Sequence, residues 1–189
     1  MEKKHIITLA GKPGSGKSTT SKLIASELGY THFSSGDLFR TIAKERGIDI
    51  YEVNVLAETE KKIDHLVDKK LQDMGRKNDE LVIDSRMAWH WMPYSFKVYL
   101  DLELSVAATR ILTNMSEERM QAEDIPHNPT EYATVLEKRL TSEIKRYASL
   151  YHANPYDIQN YDLVIDTKTN TPEEAKEAII NAYNAWLTN

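Results

Sequence analysis

Gly11-Lys12-Pro13-Gly14-Ser15-Gly16-Lys17-Ser18 has the residue types and the spacing to cradle phosphate. The run fits G-x-x-x-x-G-K-[ST]: glycines let successive backbone N–H groups converge on phosphate oxygens, and the lysine reaches the β/γ-phosphates. Read this way, Gly11, Gly14, Ser15, Gly16 and Thr19 bind the phosphate chain of a nucleotide, Lys17 both binds and catalyses, and the Ser18 hydroxyl is offered to Mg²⁺. A helix beginning at Lys17 aims its positive N-terminal end at the same phosphates. Asp84 stands directly after the apolar run 81–83. A carboxylate at the C-terminal edge of a strand can hold a water on Mg²⁺, whereas alone it reads as an ordinary strand-end aspartate. With the phosphate loop present it is expected on the metal side of the site. The expected cofactors are ATP and Mg²⁺.

These groups need a frame. Ile6-Ile7-Thr8-Leu9 reads as a short buried strand, and 17–28 as a helix that Gly29 can end through a left-handed cap. The spacing predicts a second helix over 37–46, stopped by Gly47, and a third marked by Ile63, Leu66, Val67, Leu71 and Met74, so that 47–76 reads as wholly helical. Leu81-Val82-Ile83, 97–100 and Asp162-Leu163-Val164-Ile165 are further strands, short and apolar as parallel strands covered on both faces should be. The last helix carries a start signal, with Thr171 as N-cap, Pro172 at the first helical position and Glu174 placed for a capping box. Residues 124–130, containing Pro126 and Pro129, read as a loop between charged helical stretches. The alternation predicts an α/β fold, a three-layer doubly wound parallel sheet with the phosphate loop at the C-terminal edge of its strands.

Bulk properties set the outer limits. A chain of 189 residues, 41% hydrophobic and 28% charged, is expected to be a single domain. No apolar run approaches the ~20 residues that cross a bilayer, so no membrane partner is expected. The first residues imitate the charged start of a signal peptide, but the apolar stretch after them is too short and runs into the glycine loop. The absence of cysteine excludes disulfides, thiolate metal sites and cysteine nucleophiles, and the cytoplasm is the expected location. A net charge of −5 argues against a general nucleic-acid-binding role and leaves small anionic molecules as the expected partners.

Phosphate loops serve many reaction classes, so the acceptor must be read elsewhere. Ser34-Ser35-Gly36-Asp37-Leu38-Phe39-Arg40, together with Asp84-Ser85-Arg86, resembles the nucleoside monophosphate kinases, and the cytidylate kinases most closely. Ala43-Lys44-Glu45-Arg46-Gly47-Ile48-Asp49, Glu52-Val53-Asn54, Ile63-Asp64-His65-Leu66, Ser142-Glu143-Ile144-Lys145-Arg146-Tyr147 and Tyr161-Asp162-Leu163-Val164-Ile165 are similar to the short, archaeal-type cytidylate kinases. Apart from 113–135 the likeness covers nearly the whole chain. It implies a P-loop kinase core of 1–46, 79–112 and 148–189, a helical acceptor-binding insertion at 47–78 and a lid at 113–147. The implied reaction moves the γ-phosphoryl group of ATP to a nucleoside monophosphate, CMP or dCMP, in a monomer.

Residue by residue, the resemblance implies that Ser35, Arg40 and Arg86 bind the acceptor, the two arginines gripping its phosphate with planar forks. Asp64, with Asp68, becomes a reader of base or sugar; Arg139 and Arg146, seven residues apart on one helical face, become the catalytic lid arginines; Arg110 lies against the adenine, near the loop at Asp166 and Thr167. Plain alternatives stand beside each: a surface ion pair for Arg40, a solvated helix face for Asp64 and Asp68, and a salt-bridged amphipathic helix for Arg139 and Arg146 with Glu137, Lys138, Glu143 and Lys145.

The sequence also departs from the family. Ser85 replaces a glycine, Trp89-His90-Trp91 could stack on a base or pack as core, and Asn114 stands where a second lid arginine is usual, with Arg119 the first candidate to replace it. The lid is expected to be longer than usual, interrupted by Pro126 and Pro129, poor in large apolar anchors, and open or poorly ordered without ligand. Two rival readings remain. One is a kinase of the same architecture acting on another small acceptor. The other is a nucleotide-binding regulator without transfer, supported by Asn114 and opposed by Arg40, Arg86, Arg139 and Arg146.

Overall fold

The computed structural model describes residues 2–48, 61–117, 120 and 125–188; the expectations for Glu52-Val53-Asn54 and Arg119 lie outside the described residues. Among these, five parallel strands form one sheet in the order β2-β3-β1-β4-β5, with β1 Ile6–Gly11, β2 Thr31–Ser34, β3 Leu81–Asp84, β4 Phe96–Asp101 and β5 Leu163–Asp166. The helices between them are α1 Lys17–Leu28, α2 Ser35–Arg46, α3 Lys61–Lys77, α4 Ala88–Trp91, α5 Leu104–Thr113, α6 Pro129–Tyr151 and α7 Pro172–Thr188.

Period-2 alternation in the strands makes the layers. Ile7 and Leu9, with Val82, Val98 and Leu100, meet Ile24 and Ala25 of α1 and Ile179 and Tyr183 of α7 on one face. Ile6, Leu81 and Ile83 meet Ile42 of α2, Ile63, Val67 and Leu71 of α3, and Ala88 of α4 on the other. This is the expected three-layer doubly wound α/β architecture. No helix of the described residues is long and apolar enough to cross a membrane.

Strand β2 is absent from the sequence expectations. Thr31-His32-Phe33-Ser34 has one large apolar residue in four and lies at the sheet edge, so it leaves no apolar run to read. The helix ends are as read: the Gly29 N–H donates to the Ala25 carbonyl, Gly47 closes α2, and the Thr171 hydroxyl and Glu174 carboxylate exchange bonds with each other's backbone N–H at 3.2 and 2.8 Å.

The expectation for Pro129 needs correction. Instead of belonging to a loop it occupies the first turn of α6, where its missing N–H is harmless, and the Asn128 side chain caps the helix by accepting from the N–H groups of Thr130 (2.8 Å) and Glu131 (3.3 Å). Nor does this half of the expected lid lack apolar anchors. Tyr132 and Leu136 pack against Leu102, Ala107 and Ala108, and the buried stripe continues through Leu140, Glu143 and Tyr147. The helix runs on to Tyr151, so the boundary assigned at 147 falls inside one continuous element.

Candidate active site

β1 ends on Gly11, which has φ 148°, and a Cβ there would stand 2.2 Å from the Leu100 carbonyl of neighbouring β4. Gly14, with φ 74°, turns the loop so closely over α5 that a Cβ would sit 3.2 Å from the Ala107 carbonyl. Both positions therefore exclude larger residues, through backbone conformation and through space. Lys17 opens α1 and curls back, donating to the carbonyls of Gly11 (2.9 Å) and Lys12 (2.8 Å). Burial, and then the neighbouring Arg86, depress its ammonium to a pKa of about 8, while Asp84 and Glu143 pull the other way.

The pairing of β1 with β3 puts Leu9 beside Asp84, and the Ser18 hydroxyl donates to Asp84 Oδ2 at 2.6 Å. The Ser35 hydroxyl donates to the Asp84 carbonyl at 3.4 Å. Two hard oxygen groups in contact beneath a phosphate loop suit Mg²⁺. No group of three or more His, Cys, Asp or Glu among the described residues could hold a metal, so a cation here would complete its shell with phosphate and water oxygens.

Beyond the loop, a cleft of about 690 Å³ runs between α5 and the turn after β5, with Gly14, Gly16, Arg110, Asn114, Thr167 and Asn170 among its walls. Its volume suits a single small molecule. A guanidinium N–H of Arg110 donates to the Thr167 carbonyl at 2.7 Å, so the residues expected beside a nucleotide base come together here. Asn114 spends its side-chain amide on the Arg110 carbonyl (2.7 Å), at the end of α5.

Within electrostatic reach of Lys17 stands a wall of side chains. Arg86 Nε lies 2.9 Å from Glu143 Oε2 and donates to the Tyr156 hydroxyl (3.3 Å), Tyr156 donates to Glu143, and Arg139 Nε donates to Glu143 Oε1 at 3.1 Å. Burial alone would raise the Glu143 carboxyl; Arg86, Arg139 and the Tyr156 hydrogen bond overcome it and hold the pKa at about 2. Glu143 and Tyr156 have no place among the sequence-read site residues. A signal for Glu143 does exist in the sequence, as an acid at helical spacing inside the stripe Tyr132, Leu136, Leu140, Tyr147.

Arg146 takes a different partner from Arg139. Its Nε lies 3.7 Å from Asp64 Oδ2, with its guanidinium over the Tyr147 ring at 5.0 Å. Asp64 is buried, which pushes its carboxyl up to about 6 although Arg146 opposes the shift. Asp68, also buried, accepts from Trp91 Nε1 (3.0 Å) and from the Tyr151 hydroxyl. The solvated-face alternative for these two aspartates is thereby overturned. The Trp89-His90-Trp91 run packs as part of this wall, Trp91 lying 5.1 Å from the Tyr151 ring and Trp89 5.7 Å from that of Tyr161. Arg40 is exposed and pairs with Asp37 one turn away on α2. Ser85 keeps a negative φ and its N–H donates to the Leu9 carbonyl (3.0 Å), so no glycine-only conformation is needed there.

Comparison with known proteins fits this geometry. The AAA domain family matches residues 10–131. Cytidylate kinases of Natronomonas pharaonis and Halobacterium salinarum are each 35% identical over 184 residues, 96% of this chain and 90% of theirs, and that of Thermoplasma volcanium is 34% identical over 176 residues, 93% and 89%. Among solved structures, shikimate kinase from Aquifex aeolicus superposes with a TM-score of 0.60 at 21% identity, covering 96% of this chain and 99% of its own. A gluconokinase from Sinorhizobium meliloti gives 0.62 at 15%, covering 100% and 97%. The structures speak for the shared P-loop kinase fold; on its sequence relatives the chain is a nucleoside monophosphate kinase and belongs to the cytidylate kinase family.

Proposed function

We propose that the protein transfers the γ-phosphoryl group of ATP, with Mg²⁺, to CMP or dCMP. The observation that carries this reading is a phosphate loop whose Ser18 hydroxyl bonds Asp84 at 2.6 Å, with Arg86 and Arg139 within electrostatic reach of its Lys17. Relatives named cytidylate kinase along nearly the whole chain supply the choice of acceptor.

In this reading the loop of Gly11, Gly14, Ser15, Gly16 and Thr19 binds the ATP phosphates, and Arg110 and Thr167 line the place of the base. Ser18 and Asp84 hold the cation side, where Mg²⁺ when bound neutralises charge on the phosphates. Arg86 and Arg40 receive the acceptor phosphate, with Ser35 close to Asp84, and Asp64 stands at the base or sugar. An acceptor phosphate oxygen attacks the γ-phosphorus in line; that P–O bond forms as the bond to the bridging oxygen breaks, and ADP leaves with the electron pair. Lys17, Arg139 and Arg146 act by holding positive charge where it develops, without any covalent enzyme intermediate. The insertion 47–78 receives the acceptor, and within the lid segment 113–147 the helix α6, already docked on the core, carries Arg139 and Arg146 on one continuous element. A cysteine-free sequence fits work in the cytoplasm.

The test is a coupled assay of ADP release over CMP, dCMP, UMP, AMP and GMP, with and without Mg²⁺. The cytidine nucleotides are expected to give the highest kcat/KM; a preference for another acceptor, or release that needs no acceptor, refutes the assignment.

A further inference from the structure

Four acidic side chains are buried among the described residues: Asp64, Asp68, Asp84 and Glu143. Asp84 belongs to the cation side, and Asp64 and Asp68 lie on α3, against Arg146 and against Trp91 and Tyr151, but the proposed reaction gives Glu143 no part. Its position is unusual. It interrupts an apolar stripe between Leu140 and Tyr147, where a leucine would continue the packing without burying a charge. A buried ion pair is a weak source of net stability, since replacing the whole pair by apolar residues is often neutral or favourable. The acid must therefore be explained by what it touches.

It touches both arginines that lie within electrostatic reach of Lys17. One oxygen meets Arg139, from its own helix, and the other meets Arg86, which follows β3, with Tyr156 bonded to both Glu143 and Arg86. Each contact is made at Nε, and a guanidinium carries five N–H donors, so a carboxylate at Nε fixes the plane of the fork while donors remain for a second anion. Without the acid, Lys17, Arg86 and Arg139 would repel one another whenever phosphate is absent.

We propose that Glu143 is a positioning residue for phosphoryl transfer, spanning Arg86 of the core and Arg139 of α6 so that both guanidinium groups are set before the phosphates arrive. The inference rests on reading Arg86 and Arg139 as phosphate-binding groups. Glu143 acts through them, and the substrates need not touch it.

The experiment compares Glu143→Gln, Glu143→Asp, Arg86→Ala, Arg139→Ala and the double variant Glu143→Gln/Arg139→Ala with the best nucleotide acceptor of the panel. Thermal melting and ATP binding are measured on each. Glu143→Gln is expected to lower kcat by about 10²-fold, the scale of an ångström of misplacement, while the ATP Kd moves by less than about twofold. In the Arg139→Ala background the same change should add less than about threefold, because one unit has already been broken. Glu143→Asp keeps the charge, and with it the fold, yet is one methylene too short for the span, so a loss of about tenfold is expected. If both Glu143 variants stay within about twofold of the parent kcat while the arginine variants are impaired, the inference falls and the site reading survives. Losses that multiply in the double variant and extend equally to ATP binding make Glu143 purely structural and also overturn it. Unimpaired Arg86→Ala and Arg139→Ala would instead remove the reading of the site itself.

Discussion

In the phosphate loop the holding groups are backbone: glycines with positive φ, a helix N-terminus and carbonyls that take up the idle lysine, all within 11–18 and braced by β4 and α5. Across from it, Arg86, Arg139, Glu143 and Tyr156 are held by one another's side chains, and they come from the turn after β3, from α6 and from the segment beyond it. The first kind of site keeps its shape through most changes except those that add a side chain where none fits. The second depends on balanced charge, so that losing Glu143 leaves Arg86 buried without its counterpart.

That contrast can be broken most directly at Lys17. Lys17→Ala is expected to cut turnover by about 10³-fold or more, because a fixed cation at the phosphates is lost, yet to leave the melting temperature nearly unchanged. Turnover close to the parent's would remove Lys17 from the mechanism. Arg86→Ala is expected to do both kinds of harm: acceptor use falls by about 10²-fold, and unfolding free energy falls by about 3–5 kcal/mol as Glu143 loses its core partner. Full stability measured by urea unfolding would show that the wall is not charge-balanced as described.

Proton linkage separates the two regions further. Asp64 has its folded pKa raised to about 6, so its burial disfavours folding above that pH, and the penalty vanishes below the unfolded pKa. Relative to Asp64→Asn, the wild type should lose about 2–3 kcal/mol as pH rises from 4 to 7.5. A constant difference across that range would contradict the shift. Lys17, with its pKa depressed to about 8, loses its proton as pH rises through that value, and bound phosphate favours the charged form. ATP affinity in the wild type is expected to weaken several-fold from pH 7 to 9, and in Lys17→Met to stay flat; parallel profiles would assign the dependence elsewhere. The smallest effect belongs to Arg40→Ala. With its pair to Asp37 exposed on both sides, stability should change by less than about 0.5 kcal/mol, while a raised acceptor KM would establish its substrate role.

What could be read from the sequence follows the same division. The glycine pattern, the caps at Gly29 and Thr171, and the apolar strands are local rules written in adjacent residues, and they led to the fold. Strand β2 escaped because an edge strand with Phe33 as its one large apolar residue imitates a connecting turn. Pro129 misled because proline in a first helical turn and proline in a loop look alike until the cap at Asn128 is weighed with it. Residues 86, 143 and 156 share a site only after α6 has docked against the core, and their spacing carries no sign of that. The resemblance singled out Arg86 and Arg139 because family motifs name them, but not the acid that joins them, which looked like one charge among several on a helix.

Ionic strength acts unevenly on this arrangement. The screening length is about 8 Å at 0.15 M and about 3 Å at 1 M, and it weakens charges that face water far more than those removed from it. The pair of Arg40 with Asp37 has 62% and 60% of its side chains exposed, against 26% and 9% for Arg86 with Glu143. In concentrated salt the outer pair loses most of its attraction while the inner bridge keeps its strength. With Arg40 receiving the acceptor as proposed, salt should slow its arrival more than the transfer that follows, leaving an enzyme whose encounter is salt-sensitive and whose chemistry is not.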